Sequence, residues 1–119
     1  MNNNQSGKLA ELIAAIYFIS HGYSIIKRNY ITGKGTGAGE IDLIVKRNNL
    51  LVFVEVKKRT NLETAAYAIS PAQQQRLWKA AENFVQTHTE FSNFEIRFDA
   101  FLFAFPFKFK HINDAWRLW

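Results

Sequence analysis

Two apolar runs joined by a short polar turn constrain the fold of this chain more than any other feature. Residues 40–46 and 50–58 are rich in Ile, Val, Leu and Phe. Arg47-Asn48-Asn49 between them is typical of the turns that join hairpin strands. The two runs are therefore predicted to be neighbouring antiparallel strands.

The predicted pairing brings acidic residues together. A turn centred between the two asparagines places Asp42 opposite Glu55 and Glu40 opposite Lys57. Because side chains alternate between the two sides of a strand, one face is expected to be core: Ile41, Leu43, Val45, Val52, Val54 and Val56. The opposite face is expected to carry the chemistry: Glu40, Asp42, Ile44, Leu51, Phe53, Glu55 and Lys57.

The opposed carboxylates need a neutralising partner. Their Cβ atoms are expected to lie roughly 5 Å apart, where two negative charges repel. A shared proton, a nearby lysine or a bound cation would relieve the repulsion. Since Lys57 pairs with Glu40, the Asp42/Glu55 pair still favours a cation. Oxygen ligands of this kind suit Mg²⁺ or Mn²⁺.

Composition favours a single folded domain over residues 1–119, with residues 1–5 expected to be disordered. The chain has 119 residues, of which 48% are hydrophobic. It contains no cysteine, which excludes a disulfide framework and a thiolate zinc site. The apolar run 9–19 is too short to cross a bilayer, so no membrane partner and a cytoplasmic location are expected.

The net charge of +5 and the pI near 9.6 favour a polyanionic partner. Basic pairs and triplets are predicted to cluster around the acids. The residues expected to contact nucleic acid are Lys34, Lys46, Arg47, Lys58, Arg59 and Arg76. Of these, Lys34 belongs to a glycine-rich loop that matches no phosphate-binding motif and is expected to be mobile.

An acid interrupts the first predicted helix, which is expected to run from about Gly7 to Ser20 with Ser6 as its N-cap. The helix is apolar on nearly every side, which indicates burial. Glu11 therefore needs a reason to be there. Stabilisation by the helix dipole and a metal-binding or water-binding role remain open alternatives.

A second helix is predicted to start at Ser70-Pro71, with Ser70 as N-cap and Gln73 completing a capping box. Gln74 lies on the same line as the buried stripe that includes Leu77, and is expected to point at the sheet. Its amide could satisfy a carboxylate, a water or a phosphate oxygen, or it could bond to loop backbone.

Aromatic residues dominate the last third of the chain. Phenylalanines recur there at strand period, which favours a core role over base stacking. Their number exceeds what a small core needs. Self-association through this edge, giving a homodimer, is a secondary hypothesis.

Several motifs, in order and at suitable separations, resemble the YraN family of endonuclease-like proteins. They are Gly7 with Ala10-Glu11, Gly22-Tyr23, Arg28-Asn29, Gly39 to Ile44, Val52 to Lys57 with Arg59, Ser70-Pro71 with Gln74 and Leu77, and Arg97-Phe98-Asp99. That family in turn resembles archaeal Holliday-junction resolvases and other PD-(D/E)xK nucleases. The implied fold is α/β, a restriction-endonuclease-like αβββαβ core with a mixed central sheet flanked by helices.

The resemblance implies a metal-dependent DNA endonuclease acting on branched or Holliday-junction-like DNA in recombination or repair. Asp42, Glu55 and the Val56 carbonyl would hold Mg²⁺ or Mn²⁺, and Lys57 would be the catalytic lysine. Glu11 would be the helix-one acid, holding a second metal or a water, and Gln74 would assist from the second helix.

The sequence departs from the family pattern in three places. Gln73 stands where the family commonly has lysine, the loop from Tyr30 to Ala38 is long, and the carboxy-terminal end is rich in phenylalanine. Two alternatives to the nuclease also remain. One is a non-catalytic nucleic-acid-binding module of the same fold, and the other is an assembly protein that uses the phenylalanine-rich edge.

Overall fold

A computed structural model describes residues 3–32, 39–59 and 69–118. The elements in chain order are helix α1 (Asn3–Ser20), strands β1 (Ser24–Ile31), β2 (Glu40–Arg47) and β3 (Leu50–Lys58), helix α2 (Pro71–Thr87), and strands β4 (Glu95–Ala104) and β5 (Lys108–Ile112). A short 3₁₀ turn at Thr89–Phe91 follows α2. The predicted order of helices and strands is confirmed.

The strands form one mixed sheet in the order β1-β2-β3-β4-β5. Every neighbouring pair is antiparallel except β3 and β4, which run parallel. In the central hairpin Arg47 pairs with Leu50 and Leu43 with Val54, which is the predicted register. Parallel neighbours need a long crossover, and α2 lies within that connection. The predicted mixed α/β fold is confirmed.

The helix starts differ in how well the sequence predicted them. Ser70 caps α2 as predicted, because its side chain accepts a hydrogen bond from the Gln73 backbone N–H at 3.2 Å, and Pro71 is the first helical residue. By contrast, α1 begins at Asn3, four residues before the predicted start. Ser6 therefore lies inside the helix, and three residues of the tip expected to be disordered are helical.

Both faces of the sheet are core, so the prediction of one core face and one chemical face is wrong. One cluster packs α1 against Leu43, Val45, Val52, Val54 and Phe101. The other packs α2 against Ile41, Ile44, Leu51, Phe53, Phe98 and Leu102. Ile41 was predicted on the opposite face. The polar residues predicted to carry out the chemistry lie at one end of the sheet, where β2 and β3 meet the start of α2.

The phenylalanine-rich end divides into a buried and an exposed part. Phe98, Phe101 and Phe103 are fully buried in β4, as predicted for core residues. The β4–β5 connection and β5 instead present Phe105, Phe107 and Phe109 to solvent, with exposed fractions of 57%, 79% and 46%. Neither described helix is long and apolar enough to cross a membrane.

Candidate functional site

Asp42 and Glu55 meet at the end of the β2–β3 hairpin. Glu55 is only 6% exposed, and the Asp42 carboxyl lies within hydrogen-bonding reach of it. The Val56 backbone N–H donates to Asp42 Oδ2 at 2.8 Å, which ties the Asp42 side chain to β3. The two acids therefore project to a common side, as the hairpin register predicts.

Burial is the main reason why the pKa of Glu55 lies well above its ordinary value, and the neighbouring Asp42 carboxyl raises it further. Lys57 lowers the Glu55 pKa, but not by enough to offset these two effects. Without a cation, the Asp42/Glu55 pair therefore retains a proton into the neutral range. A cation placed between the carboxylates would replace that proton.

In the absence of a divalent ion, Glu55→Gln should stabilise the protein at neutral pH by about 1–3 kcal/mol. When the pKa of a carboxyl is raised in the folded protein, the folded state binds the proton more tightly than the unfolded state. Stability therefore falls as the pH rises above 4.5, the ordinary pKa of glutamate. Glutamine does not titrate and should remove this slope. Urea unfolding between pH 4.5 and 7.5 measures it. Equal slopes in the two proteins would contradict the assigned environment of Glu55.

The amide from α2 that contacts the acids belongs to Gln73, not to Gln74 as predicted. Gln73 Nε2 donates to Glu55 Oε2 at 2.7 Å. The Gln74 amide instead donates to the Ile69 carbonyl oxygen at 3.1 Å, which is the loop-backbone alternative left open above. In the predicted capping box the Gln73 side chain would bond back to the Ser70 backbone; instead it bonds to Glu55, and only the Gln73 backbone N–H takes part in the cap.

A second polar group joins α1 to the site through Asn29. With its amide nitrogen turned toward the acids, Asn29 donates to Glu11 Oε1 at 3.0 Å and to Glu40 Oε1 at 3.3 Å. Burial and the charge of Asp42 raise the pKa of Glu11, while the Asn29 hydrogen bond lowers it. Glu11 thus faces the acids of the sheet, so stabilisation by the dipole of α1 alone does not explain why an acid lies at this position.

The backbone of Asn29 has an unusual conformation within β1, beside Asp42. Its φ of 53° is in the left-handed region, which asparagine tolerates better than most residues. The residues on either side of it, Arg28 and Tyr30, pair normally with Leu43 and Ile41. The irregularity therefore lies directly opposite Asp42.

A cleft of about 200 Å³ opens over the acids. Its lining combines five polar or charged side chains, Asp42 and Glu55 included, with one apolar residue of α2 and a glycine: Gly39, Glu40, Asp42, Glu55, Gln73, Arg76 and Leu77. The start of α2 forms one wall, where Gly39 N–H donates to the Arg76 carbonyl at 3.4 Å. Lys57 is half-buried on β3 and interacts electrostatically with Glu55.

The basic residues are not all near this cleft, contrary to the predicted clustering. Lys46 and Arg47 lie at the turn of the hairpin, four and five strand residues from Asp42, or roughly 13 and 16 Å. Arg47 stacks on Tyr23, with its guanidinium carbon 4.4 Å from the ring centroid, and donates to the His21 carbonyl at 3.0 Å. Lys46 lies 5.8 Å from the Phe94 ring centroid. Both residues therefore have structural contacts away from the site.

The remaining basic residues lie closer to the acids or outside the described part of the chain. Arg76 lines the cleft. Lys58 and Arg59 directly follow Lys57, at the same end of β3 as Glu55; Lys58 is exposed and Arg59 half-buried. Lys34 lies outside the described residues, so its predicted contact with nucleic acid stays a prediction.

The donor set suits a hard divalent cation. Across residues 3–32, 39–59 and 69–118, no three His, Cys, Asp or Glu side chains converge as metal ligands. Two carboxylates, Asp42 and Glu55, do meet, and Mg²⁺ commonly uses one or two carboxylates while it keeps several waters. These two residues therefore fit Mg²⁺ or Mn²⁺. The Glu11 carboxylate is not part of this pair; it accepts a hydrogen bond from the Asn29 amide.

Two polar contacts of the site were missed in the sequence. Gln73 was explained by the helix cap alone, although it lies four residues before Leu77 and so shares its face of α2. Asn29 had no assigned role because its contact with Glu11 joins residues far apart in the chain. Apart from the Arg28-Asn29 motif of the family resemblance, the signal for Asn29 was an asparagine within a strand pattern, where that residue is disfavoured.

Comparison with known proteins decides the family. The family model described as "Uncharacterised protein family UPF0102" matches residues 10–103. The chain belongs to the UPF0102 family. This confirms the resemblance to the YraN family, which is the same family.

UPF0102 relatives match nearly the whole chain. A UPF0102 protein of Paramagnetospirillum magneticum is 42% identical over 113 residues, covering 94% of this chain and 87% of that protein. A UPF0102 protein of Rhodopseudomonas palustris strain BisB18 is 49% identical over 100 residues, covering 84% and 71%. Both relatives are named only by their family, and neither name states an activity.

A solved structure extends the likeness to a known fold. Hjc of Archaeoglobus fulgidus, a Holliday junction resolvase from an archaeal hyperthermophile, superposes with a TM-score of 0.52. The match covers 87% of the UPF0102 chain and 72% of Hjc, at 15% sequence identity. At this identity the likeness shows the fold alone. The UPF0102 chain therefore has the α/β nuclease-like fold that the sequence predicted.

Proposed function

We propose that this chain is a metal-dependent DNA endonuclease that hydrolyses phosphodiester bonds in branched or Holliday-junction-like DNA. The observation that carries the proposal is the meeting of Asp42 and Glu55 in an open cleft, with Lys57 two residues along the same strand. The resolvase-like fold supports the same reaction class.

Asp42, Glu55 and the Val56 carbonyl would hold Mg²⁺ or Mn²⁺. When bound, such an ion lowers the pKa of a coordinated water and stabilises charge on phosphate. The Val56 N–H keeps the Asp42 carboxylate in place, since it donates to Oδ2. The low exposure of Glu55 limits competition from bulk water.

Lys57 and Glu11 would complete the chemistry. The Lys57 ammonium is close enough to Glu55 to lower its pKa, which places its charge beside the cleft. There it would orient the attacking water or donate to a phosphate oxygen as negative charge develops. Glu11, held by Asn29, would accept a hydrogen bond from a water and so fix its position.

The cleft suits a nucleic-acid backbone because cations lie beside the acids. Arg76 lines the cleft and would bind a phosphate, and Lys58 and Arg59 extend the basic surface from the end of β3. Contacts of this kind read charge rather than sequence. Binding should therefore weaken steeply as salt concentration rises.

The purified protein should cut at least one branched, flapped or nicked DNA when Mg²⁺ or Mn²⁺ is present, and EDTA should stop the cleavage. Labelled four-way junctions, flaps, splayed arms, linear duplexes and single strands provide the panel, read on denaturing gels. Binding measured on the same substrates in EDTA supplies a control. Binding without cleavage under any divalent ion would favour the non-catalytic module.

A second candidate function is self-assembly through the phenylalanine-rich edge. Phe105, Phe107 and Phe109 are exposed by 46–79%, which is unusual for large apolar side chains. A homodimer formed through them would support this role and is compatible with the nuclease. Sedimentation velocity of the wild type and of Phe107→Ser tests it, and a concentration-independent monomer in both would exclude self-assembly.

A further inference from the structure

Gln73 contacts the acids through a hydrogen bond that neither the fold nor the cap of α2 requires. Its backbone N–H already satisfies the cap by donating to Ser70 Oγ at 3.2 Å. Its side chain is then free to leave the helix, and Nε2 donates to Glu55 Oε2 at 2.7 Å. The bond joins α2 to the central strand β3.

The first turn of α2 makes this contact rigid. Ser70 fixes the turn from both sides, since its Oγ accepts from Gln73 N and its carbonyl accepts from Gln74 N at 2.9 Å. One turn later, Leu77 is buried on the same face of the helix, with 3% exposure. The Gln73 amide therefore reaches Glu55 from a backbone that is held at both ends of the turn.

The amide bonds to one oxygen of Glu55 and leaves the other outside that hydrogen bond. Gln73 donates to Oε2, which leaves Oε1 outside that bond. A carboxylate held by one oxygen has a fixed orientation, which lowers the ordering cost of binding a ligand at the other. The neutral amide achieves this without adding charge.

That neutrality matters because the surroundings are acidic. Glu40 and Asp42 both act electrostatically on Glu11 and on Glu55. A cationic donor at position 73 would place a positive charge beside Glu55 and repel a divalent cation bound there. Glutamine supplies the hydrogen bond and leaves the negative potential intact.

We infer that Gln73 is a positioning residue, whose neutral amide orients Glu55 so that Asp42 and Glu55 bind a divalent cation tightly. The inference rests on the proposed function, because it concerns the same pair of carboxylates. It adds a residue and a property, the neutrality of the donor, that set cation affinity in this chain.

Mn²⁺ binding, followed by electron paramagnetic resonance of the free ion, tests the inference without DNA. Gln73→Lys should weaken Mn²⁺ binding at least about tenfold, because it places a positive charge beside the cation. Gln73→Met, which has similar bulk but no donor, should weaken it about threefold or more, because Glu55 loses its fixed orientation. Gln75→Lys is the matched control. It adds the same charge on an exposed position of α2 and should bind Mn²⁺ like the wild type.

The outcomes separate this inference from the proposed function. If the wild type binds no Mn²⁺, or if Asp42→Asn and Glu55→Gln bind it equally well, the proposed metal site itself fails. If those variants lose binding while Gln73→Lys and Gln73→Met retain wild-type affinity, the metal site stands and the role of Gln73 is overturned. Circular dichroism of each variant confirms that the fold is retained.

Discussion

Lys57→Met should lower the rate of DNA cleavage by about 100-fold to 1000-fold, the loss typical when one charge-stabilising donor is removed from an active site. Methionine keeps much of the length and apolar character of lysine, so the half-buried side chain should still pack. Only the ammonium group is lost. Single-turnover cleavage of the best substrate from the panel, at saturating Mn²⁺, measures the effect.

Two controls separate catalysis from binding in this experiment. Lys79→Met removes the same charge from an exposed position on α2 and should leave the rate near that of the wild type. Mn²⁺ affinity of Lys57→Met should be unchanged or higher, because a positive charge beside Glu55 has been removed. Cleavage by Lys57→Met at the wild-type rate would refute the catalytic role of Lys57.

Asp99→Ala should lower the free energy of unfolding by about 3–5 kcal/mol, as expected when one partner is removed from a buried ion pair. The Asp99 side chain is fully buried and accepts hydrogen bonds from three partners. Arg97 donates to both oxygens at 2.8 Å, His111 Nε2 contacts Oδ2 at 2.7 Å, and the Asp114 N–H donates to Oδ1 at 3.0 Å. Alanine would leave the Arg97 charge without its carboxylate.

The same network extends from β4 to the amino-terminal helix. His111 Nδ1 contacts the Tyr17 hydroxyl at 2.9 Å, and Arg97 donates to the Tyr23 hydroxyl at 2.9 Å. Burial raises the pKa of Asp99, but the hydrogen bonds from His111, Arg97 and Asp114 lower it overall. Stability from a depressed carboxyl pKa is present above the unfolded value of 3.8 and is lost as the pH falls through the folded value.

Urea unfolding at neutral pH, followed by tryptophan fluorescence, measures the effect of Asp99→Ala. Asp114→Asn is a suitable control, since it removes an exposed acid, paired with Arg117, and keeps a residue type that tolerates the φ of 53° at this position. Its effect should be much smaller. A loss for Asp99→Ala no larger than that of the control would contradict the assigned role of the network.

The sequence predicted the central hairpin well because local chemistry determines it. The two asparagines of the turn and the alternation of the strands set the register, and the register brings Asp42 and Glu55 together. Ser70 and Pro71 likewise located the start of α2. In each case, residues within a few positions of one another carry the information.

The errors arose where the information is geometric or long-range. Gln73 and Gln74 lie four and three residues before Leu77, and both spacings place a side chain on the same helix face, so periodicity could not choose between them. Lys46 and Arg47 are close to Asp42 in sequence, but an extended strand separates them in space. The contact between Tyr17 and His111 spans 94 positions, and no local pattern signals it.

The central position of β3 limits how the site can adapt to what it binds. Glu55 and Lys57 lie on a strand with hydrogen-bonded neighbours on both sides, and Glu55 is fastened to a capped helix as well. Such a platform has little freedom to reshape itself around a crooked or flexible ligand. Accommodation has to come from the margins, from the outer strands and the connecting segments. Relatives with the same pair of acids on a central strand could therefore bind molecules of different shape by changing only the outer strands and the connecting segments.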